Sequence, residues 1–129
     1  MALLGDLIPN EYFAVAPEDT LGEVAQRMVD ARVGAVVVKD FGRLIGILTE
    51  RDMLKAMAGR VHTSDARVRE WMTADPITAS PDTPIEAAAR TMLDNGFRHL
   101  PVIDGETVLG MVSLRRLVAA GQLSSADAA

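Results

Sequence analysis

The 129-residue chain contains no cysteine and only two histidines. Without a thiol, disulfides, thiolate metal sites and cysteine nucleophiles are all excluded. His62 and His99 stand in no spacing that suggests a Ser-His-Asp set or a metal centre. A Gly-x-x-x-x-Gly-Lys-Thr phosphate loop is also missing. The expected catalytic and metal-ligand sets are therefore empty: no enzyme, and no required cofactor. No apolar run approaches the roughly 18 residues that span a bilayer. Met1–Ile8 is mildly apolar, but it carries Asp6, lacks a basic start and is too short for a signal peptide. The net charge is −5 and the basic residues are scattered, so the clustered cationic face that nucleic acid requires is absent. The expectation is a cytoplasmic protein with no membrane or nucleic-acid partner, still able to hold one small anion with two or three local charges.

What the chain does contain is an internal repeat. About half of it is apolar, which suits one compact domain or two small halves sharing a core. Sliding the sequence against itself by 64 residues aligns Leu4–Leu54 with Val68–Val118 without a gap. Pro17 falls on Pro81, Ala25 on Ala89, Met28 on Met92 and Asp30 on Asp94. Val38 falls on Val102, Asp40 on Asp104, Gly46 on Gly110 and Arg51 on Arg115. The apolar rhythm and the turn residues coincide as well.

Each repeat opens with a short apolar stretch, Tyr12–Ala16 or Pro76–Ala79, closed by Pro17 or Pro81. A helix is predicted next, because Leu21, Val24, Ala25 and Met28 recur at helical spacing, as do Ile85, Ala88, Ala89 and Met92. Asp19 or Thr20, and Asp82 or Thr83, are placed to cap it. A strand follows, Ala35–Lys39 or Leu100–Ile103, then a tight turn, Asp40-Phe41-Gly42 or Asp104-Gly105-Glu106. The return strand, Arg43–Leu48 or Thr107–Val112, leads to a last helix capped by Thr49 or Ser113. The fold class is thus α+β, two β-α-β-β-α repeats. Each is too small to stand alone, so the two sheets pack together about a pseudo-twofold axis with helices outside. The expected boundaries are a first repeat over 4–58, a polar linker over 59–67, a second repeat over 68–120 and a flexible tail over 121–129. Trp71 is expected to anchor the start of the second repeat or a dimer seam, and His62 to be solvated.

The closing motifs carry a family resemblance. Gly46-Ile47-Leu48-Thr49-Glu50-Arg51-Asp52 has the form Gly-hydrophobic-x-Thr/Ser-x-x-Asp, and Gly110-Met111-Val112-Ser113-Leu114-Arg115-Arg116 matches it except for the final Asp. With Phe97-Arg98-His99-Leu100-Pro101-Val102-Ile103-Asp104, nearly the whole chain resembles a tandem pair of CBS domains, a Bateman module. Thr49 and Asp52 lie three residues apart at a helix start and share one face. The amides and dipole of that helix end suit a phosphate. Asp52, as an ionised acceptor, suits both ribose hydroxyls.

The resemblance implies two clefts, each built from the closing motif of one repeat and the first-strand region of the other. One combines Thr49 and Asp52 with Ile77, Thr78, Arg98, His99 and Pro101; Ile47 and Arg51 complete the expected ligand-binding set, Arg51 also being placed to pair with Glu50 or Asp30. The other combines Ser113 and Arg116 with Phe13, Ala14, Gly34 and Val37. It has lost the ribose acceptor, so little nucleoside binding is expected there. The family likeness further implies a stand-alone regulatory module that senses an adenosine compound, AMP, ADP or ATP first, and signals to an effector protein in trans. The alternatives are an S-adenosylmethionine or NAD sensor, or a protein–protein adaptor that binds no nucleotide. A homodimer through helix faces bearing Leu54, Met57, Leu117 and Val118 is expected.

Overall fold

The structure, a computed structural model, describes residues 2–128, with side chains as far as residue 121. The chain forms two compact units, residues 12–76 and residues 1–11 with 77–129. The first contains β1 (Ala14–Val15), α1 (Leu21–Ala31), β2 (Ala35–Asp40), β3 (Arg43–Thr49), α2 (Glu50–Ala58), the single turn α3 (Val68–Trp71) and β4 (Thr73–Ala74). The second contains a 3₁₀ turn over Leu4–Asp6, then α4 (Ile85–Asn95), β5 (His99–Asp104), β6 (Thr107–Ser113) and α5 (Leu114–Ala128). The fold is α+β, as the repeat pattern requires. Most of the tail expected over 121–129 lies outside the residues whose side chains are described.

In the first unit the sheet order is β1-β2-β3-β4, with β1 parallel to β2 and the other pairs antiparallel. In the second, β5 pairs with β6, and the opening stretch contributes one parallel bridge, Ala79 to Val102. Both hairpins carry a bulge at the same repeat position, Val38/Lys39 and Val102/Ile103. The helices bury the predicted stripes: Leu21, Val24 and Met28 on α1, Ile85, Ala88 and Met92 on α4. Thr20 caps α1 by accepting from the Glu23 amide at 3.2 Å. Neither Asp82 nor Thr83 caps α4. Pro84 occupies that position, and the Thr83 hydroxyl instead accepts from the Ser80 amide in the preceding turn at 3.1 Å.

The segment that opens each repeat is built into the unit of the other repeat. Leu4 is fully buried in a core with Ile85, Met92, Leu100, Val102 and Val112. Its repeat mate, Val68, is fully buried among Leu21, Val24, Val36, Val38 and Leu48. The backbone bonds that dock the two segments also match at the 64-residue offset. Leu4 N–H donates to Thr83, Gly5 to Pro81 and Ile85 to Ala2, while Val68 donates to Asp19, Arg69 to Pro17 and Leu21 to Ala66. Trp71 accordingly packs against the core of the first unit. Leu117 packs into the second core and is 1% exposed, so it does not belong to the outer helix face expected for it. Its mate Met53 also turns inward, because both stand on the stripe that completes the core.

The docked segments explain the motif glycines. A Cβ on Gly46 would lie 2.9 Å from the Thr73 carbonyl oxygen and 2.6 Å from Met72 Sδ. One on Gly110 would meet the Asn10 side chain. Asn10 acts there as a surrogate strand: its Nδ2 donates to the Met111 carbonyl at 2.9 Å and its Oδ1 accepts from the Met111 amide at 3.1 Å.

The C-cap of α1 is Arg32 at φ 59°, a left-handed conformation, where α4 has Gly96 at φ 74°. Replacing Arg32 with Gly removes the Cβ strain, so Arg32→Gly should raise stability by about 1 kcal/mol in urea unfolding; a lower midpoint would contradict this. Leu4→Ala should cost about 2–5 kcal/mol through the cavity it leaves. An unchanged midpoint would show that the leading segment is not part of the core.

Candidate functional site

The junction of β3 and α2 holds the residues singled out by the first motif. Thr49 ends the strand, opposite Ala35 in register, and is the N-cap of α2 at φ −123°, ψ 167°. Its Oγ1 accepts from the Asp52 amide at 3.3 Å. In return, Asp52 Oδ2 accepts from the Thr49 amide at 2.9 Å and from Thr49 Oγ1 at 3.1 Å. This is a reciprocal capping box, in which two otherwise orphaned donors are satisfied. Asp52 is only 7% exposed, and its Oδ1 has no partner among the described residues. Ile47 is buried and Arg51 exposed. Among the described residues Arg51 pairs with neither Glu50 nor Asp30. Asp30 instead accepts from Gln26, one helical turn earlier at 2.9 Å.

The box changes what this helix start offers. The Glu50 amide donates to the Gly34 carbonyl at 3.0 Å and the Asp52 amide is taken by Thr49, which leaves that of Arg51. A phosphate needs several donors, and here an ionised carboxylate stands among them. The start of α2 is therefore poorly suited to the phosphate that the sequence pattern suggested for it.

The second unit brings together Ile77, Thr78, Arg98, His99 and Pro101. The Ala79 amide donates to the Pro101 carbonyl at 3.0 Å, and that of Ile103 to the Ala79 carbonyl at 2.8 Å. This lays Ile77 and Thr78 along the start of β5. Ile77 is 47% exposed; Thr78 and His99 are half-buried, Arg98 is exposed and Pro101 is buried. His99 stands opposite Ser113 in the β5–β6 register, and the Arg98 carbonyl accepts from the Leu114 amide at 2.8 Å. At the second motif Ser113 Oγ accepts from the Arg116 amide at 3.2 Å, but no carboxylate returns the bond. The Arg116 guanidinium donates to the Leu7 carbonyl at 3.2 Å instead. The expected site residues thus fall in two groups: Ile47, Thr49, Arg51 and Asp52 in one unit, the other five in the other unit.

The reciprocal bond from Asp52 was missed by the sequence reading, although Thr-x-x-Asp before a helix is itself its signature. A groove of about 540 Å³ between α1 and α2, lined by Met28, Val29, Arg32, Met53 and Leu54, contains none of the expected ligand residues. Among the described residues no group of three or more His, Asp or Glu is placed to hold a metal ion. No helix in them is long and apolar enough to cross a membrane.

With this geometry in place, comparison with known proteins defines the class. The CBS-domain family model matches residues 4–59 and again 68–122. The chain belongs to the CBS-domain family, as a tandem pair. It is 38% identical over 119 residues to an uncharacterised 17.7 kDa protein of Acidianus ambivalens, covering 91% of this chain and 71% of that one. It is 30% identical over 128 residues to the CBS domain-containing protein YhcV of Bacillus subtilis, covering 99% of this chain and 91% of that one. A solved CBS-domain protein of Agrobacterium tumefaciens superposes with TM-score 0.86 at 30% identity, over 92% of this chain and 98% of the other. Two further structures share the fold at lower identity. One is CBSX2 in complex with AMP, at 23% identity and TM-score 0.80, covering 97% and 99%. The other is a CBS pair in complex with 5′-methylthioadenosine and S-adenosyl-L-methionine, at 24% and 0.85, covering 96% and 98%.

The capping box sets a stability prediction that is independent of any ligand. Asp52→Ala should lower the urea-unfolding free energy by about 1 kcal/mol. Arg116→Ala, at the equivalent repeat position, should change it by no more than about 0.5 kcal/mol. Equal effects would mean that the box contributes nothing.

Proposed function

We propose that this CBS pair is a regulatory module that binds an adenosine-containing ligand, with AMP, ADP or ATP ahead of S-adenosylmethionine and NAD. The observation that carries the proposal is Asp52. It is a carboxylate 7% exposed at a helix start, with one oxygen unbonded, inside the Gly46–Asp52 motif. No buried side-chain oxygen or nitrogen among the described residues lacks a partner, so this unbonded oxygen is open to solvent and to a ligand although the residue as a whole is buried. An oxygen kept open beside Thr49 suits a ligand hydroxyl. In the other unit, Arg98 offers an exposed cation of the kind that pairs with phosphate. Two proteins of the same fold hold AMP, or S-adenosyl-L-methionine and 5′-methylthioadenosine, which supports the ligand class. Binding regulates by favouring one arrangement of the protein, read by an effector in trans. A homodimer would cover Val29, Leu54 and Met57, each 65–70% exposed on α1 and α2. The cytoplasm is the compartment that agrees with a cysteine-free chain.

A second reading, an adaptor that binds no nucleotide, is favoured by one observation: the capping box gives Thr49 and Asp52 a structural task without any ligand.

Isothermal titration with AMP, ATP, adenosine and S-adenosylmethionine separates the two readings. The sensor predicts heat with at least one adenosine compound, and an affinity at least about tenfold lower in Asp52→Ala, the loss of one charge-assisted hydrogen bond. Arg98→Ala should weaken AMP and leave adenosine unchanged. No heat with any of the four compounds would contradict the sensor reading.

A further inference from the structure

We propose that the β2–β3 hairpin of one copy inserts Phe41 into the groove between α1 and α2 of a second copy, with Asp40 of the hairpin paired to Arg32 at the groove edge. The inference rests on the homodimer of the proposed regulatory module and names what covers part of its open helix face. It needs no ligand.

Two residues of the first unit hold a left-handed backbone where the second repeat has glycine. Phe41, at φ 52°, aligns with Gly105, at φ 61°, and Arg32, at φ 59°, aligns with Gly96, at φ 74°. A tight turn and a helix C-cap impose these angles, so glycine is the residue each position asks for. A Cβ is strained there, and a bulky ring in that region is an outlier. No contact within the chain offsets the strain. Phe41 is 97% exposed, and the exposed Arg32 guanidinium has no hydrogen bond or ion pair among the described residues. Side chains kept against the local geometry point to a contact made outside the chain.

The groove of about 540 Å³ matches what the hairpin presents. Arg32 stands on its edge, and Met28, Val29, Met53 and Leu54 line it, with Val29 70% and Leu54 65% exposed. Two methionines make an adaptable lining, and thioether sulfur packs favourably on an aromatic ring. Among the described residues Glu50 is the one other charge on the groove, so Asp40, next to Phe41, is seated at the Arg32 end. A chain cannot fill its own groove, because the six residues of β2, about 20 Å of strand, separate Arg32 from Phe41. Two copies related by a twofold axis exchange tips, each giving one knob and one groove. The second unit lacks both parts: Gly105 presents no side chain, and α4 and α5 pack more closely on each other than α1 and α2 do.

Sedimentation equilibrium of the full chain tests the contact. The wild type should show a monomer–dimer equilibrium. Phe41→Gly should weaken it about tenfold or more, while the urea midpoint stays level or rises. Asp40→Lys and Arg32→Asp should each weaken association, and the double variant should regain most of it, since aspartate tolerates the left-handed position. Val29→Arg, with its groove blocked, should self-associate poorly yet pair with Phe41→Gly more readily than either does alone, because one intact tip then meets one intact groove. A dimer unchanged by Phe41→Gly, or a double variant no better than its singles, would overturn the contact and leave a helix-face homodimer standing. A wild type that stays monomeric up to about 1 mM would overturn both, and the titrations with adenosine compounds would still decide the sensor reading.

Discussion

The docking of a short leading segment onto each unit is the constraint from which most other features follow. A β-α-β-β-α repeat of this size has one sheet and two helices, too little to complete its core alone. Leu4 completes that core in one unit and Val68 in the other, both fully buried. The segment then runs along the strand that ends in the family motif. That is why Gly46 and Gly110 must be glycine: Met72 and Thr73 pass one, Ile8 and Asn10 the other. The glycine of the motif is thus a packing requirement, set by the crossing chain, and only its Thr and Asp are open to ligand chemistry.

The second constraint is the helix start. The first amides of any helix need acceptors, and the first motif meets that need with Thr49 and Asp52 bound to each other. A capping box that also serves as a binding surface has spent part of its hydrogen-bonding capacity beforehand. What remains uncommitted there is Oδ1 of Asp52, one lone pair of Thr49 and the Arg51 amide. The second motif keeps the cap through Ser113 and loses the carboxylate, and Arg116 turns to the leading segment at Leu7. The two halves therefore share a fold and differ in what their helix starts can receive.

Much of this was legible in the residues, and the misses have physical reasons. The 64-residue repeat, the stripes of α1 and α4 and both hairpins follow from periodicity and turn chemistry, which act over a few neighbours. The placement of Leu4, Trp71 and Leu117 depends on which segment packs on which core, and local pattern does not encode that. Leu117 illustrates the point. Beside Val118 it reads as part of an outward apolar face, but only Val118 faces out, at 47% exposure, while Leu117 completes the core. The expected strand over Pro76–Ala79 shrinks to one bridge because its companion Pro101 supplies no amide for a longer ladder. Thr49 and Asp52 were legible as a motif, but their mutual bonds needed the geometry.

The proposal turns on whether an adenosine compound binds at the Gly46–Asp52 motif. Backbone amide chemical shifts, followed while AMP is added to the labelled protein, test it most directly. The largest shifts are expected on Thr49, Arg51 and Asp52. Saturation with those amides unmoved, or with the largest changes at Ser113–Arg116, would contradict it.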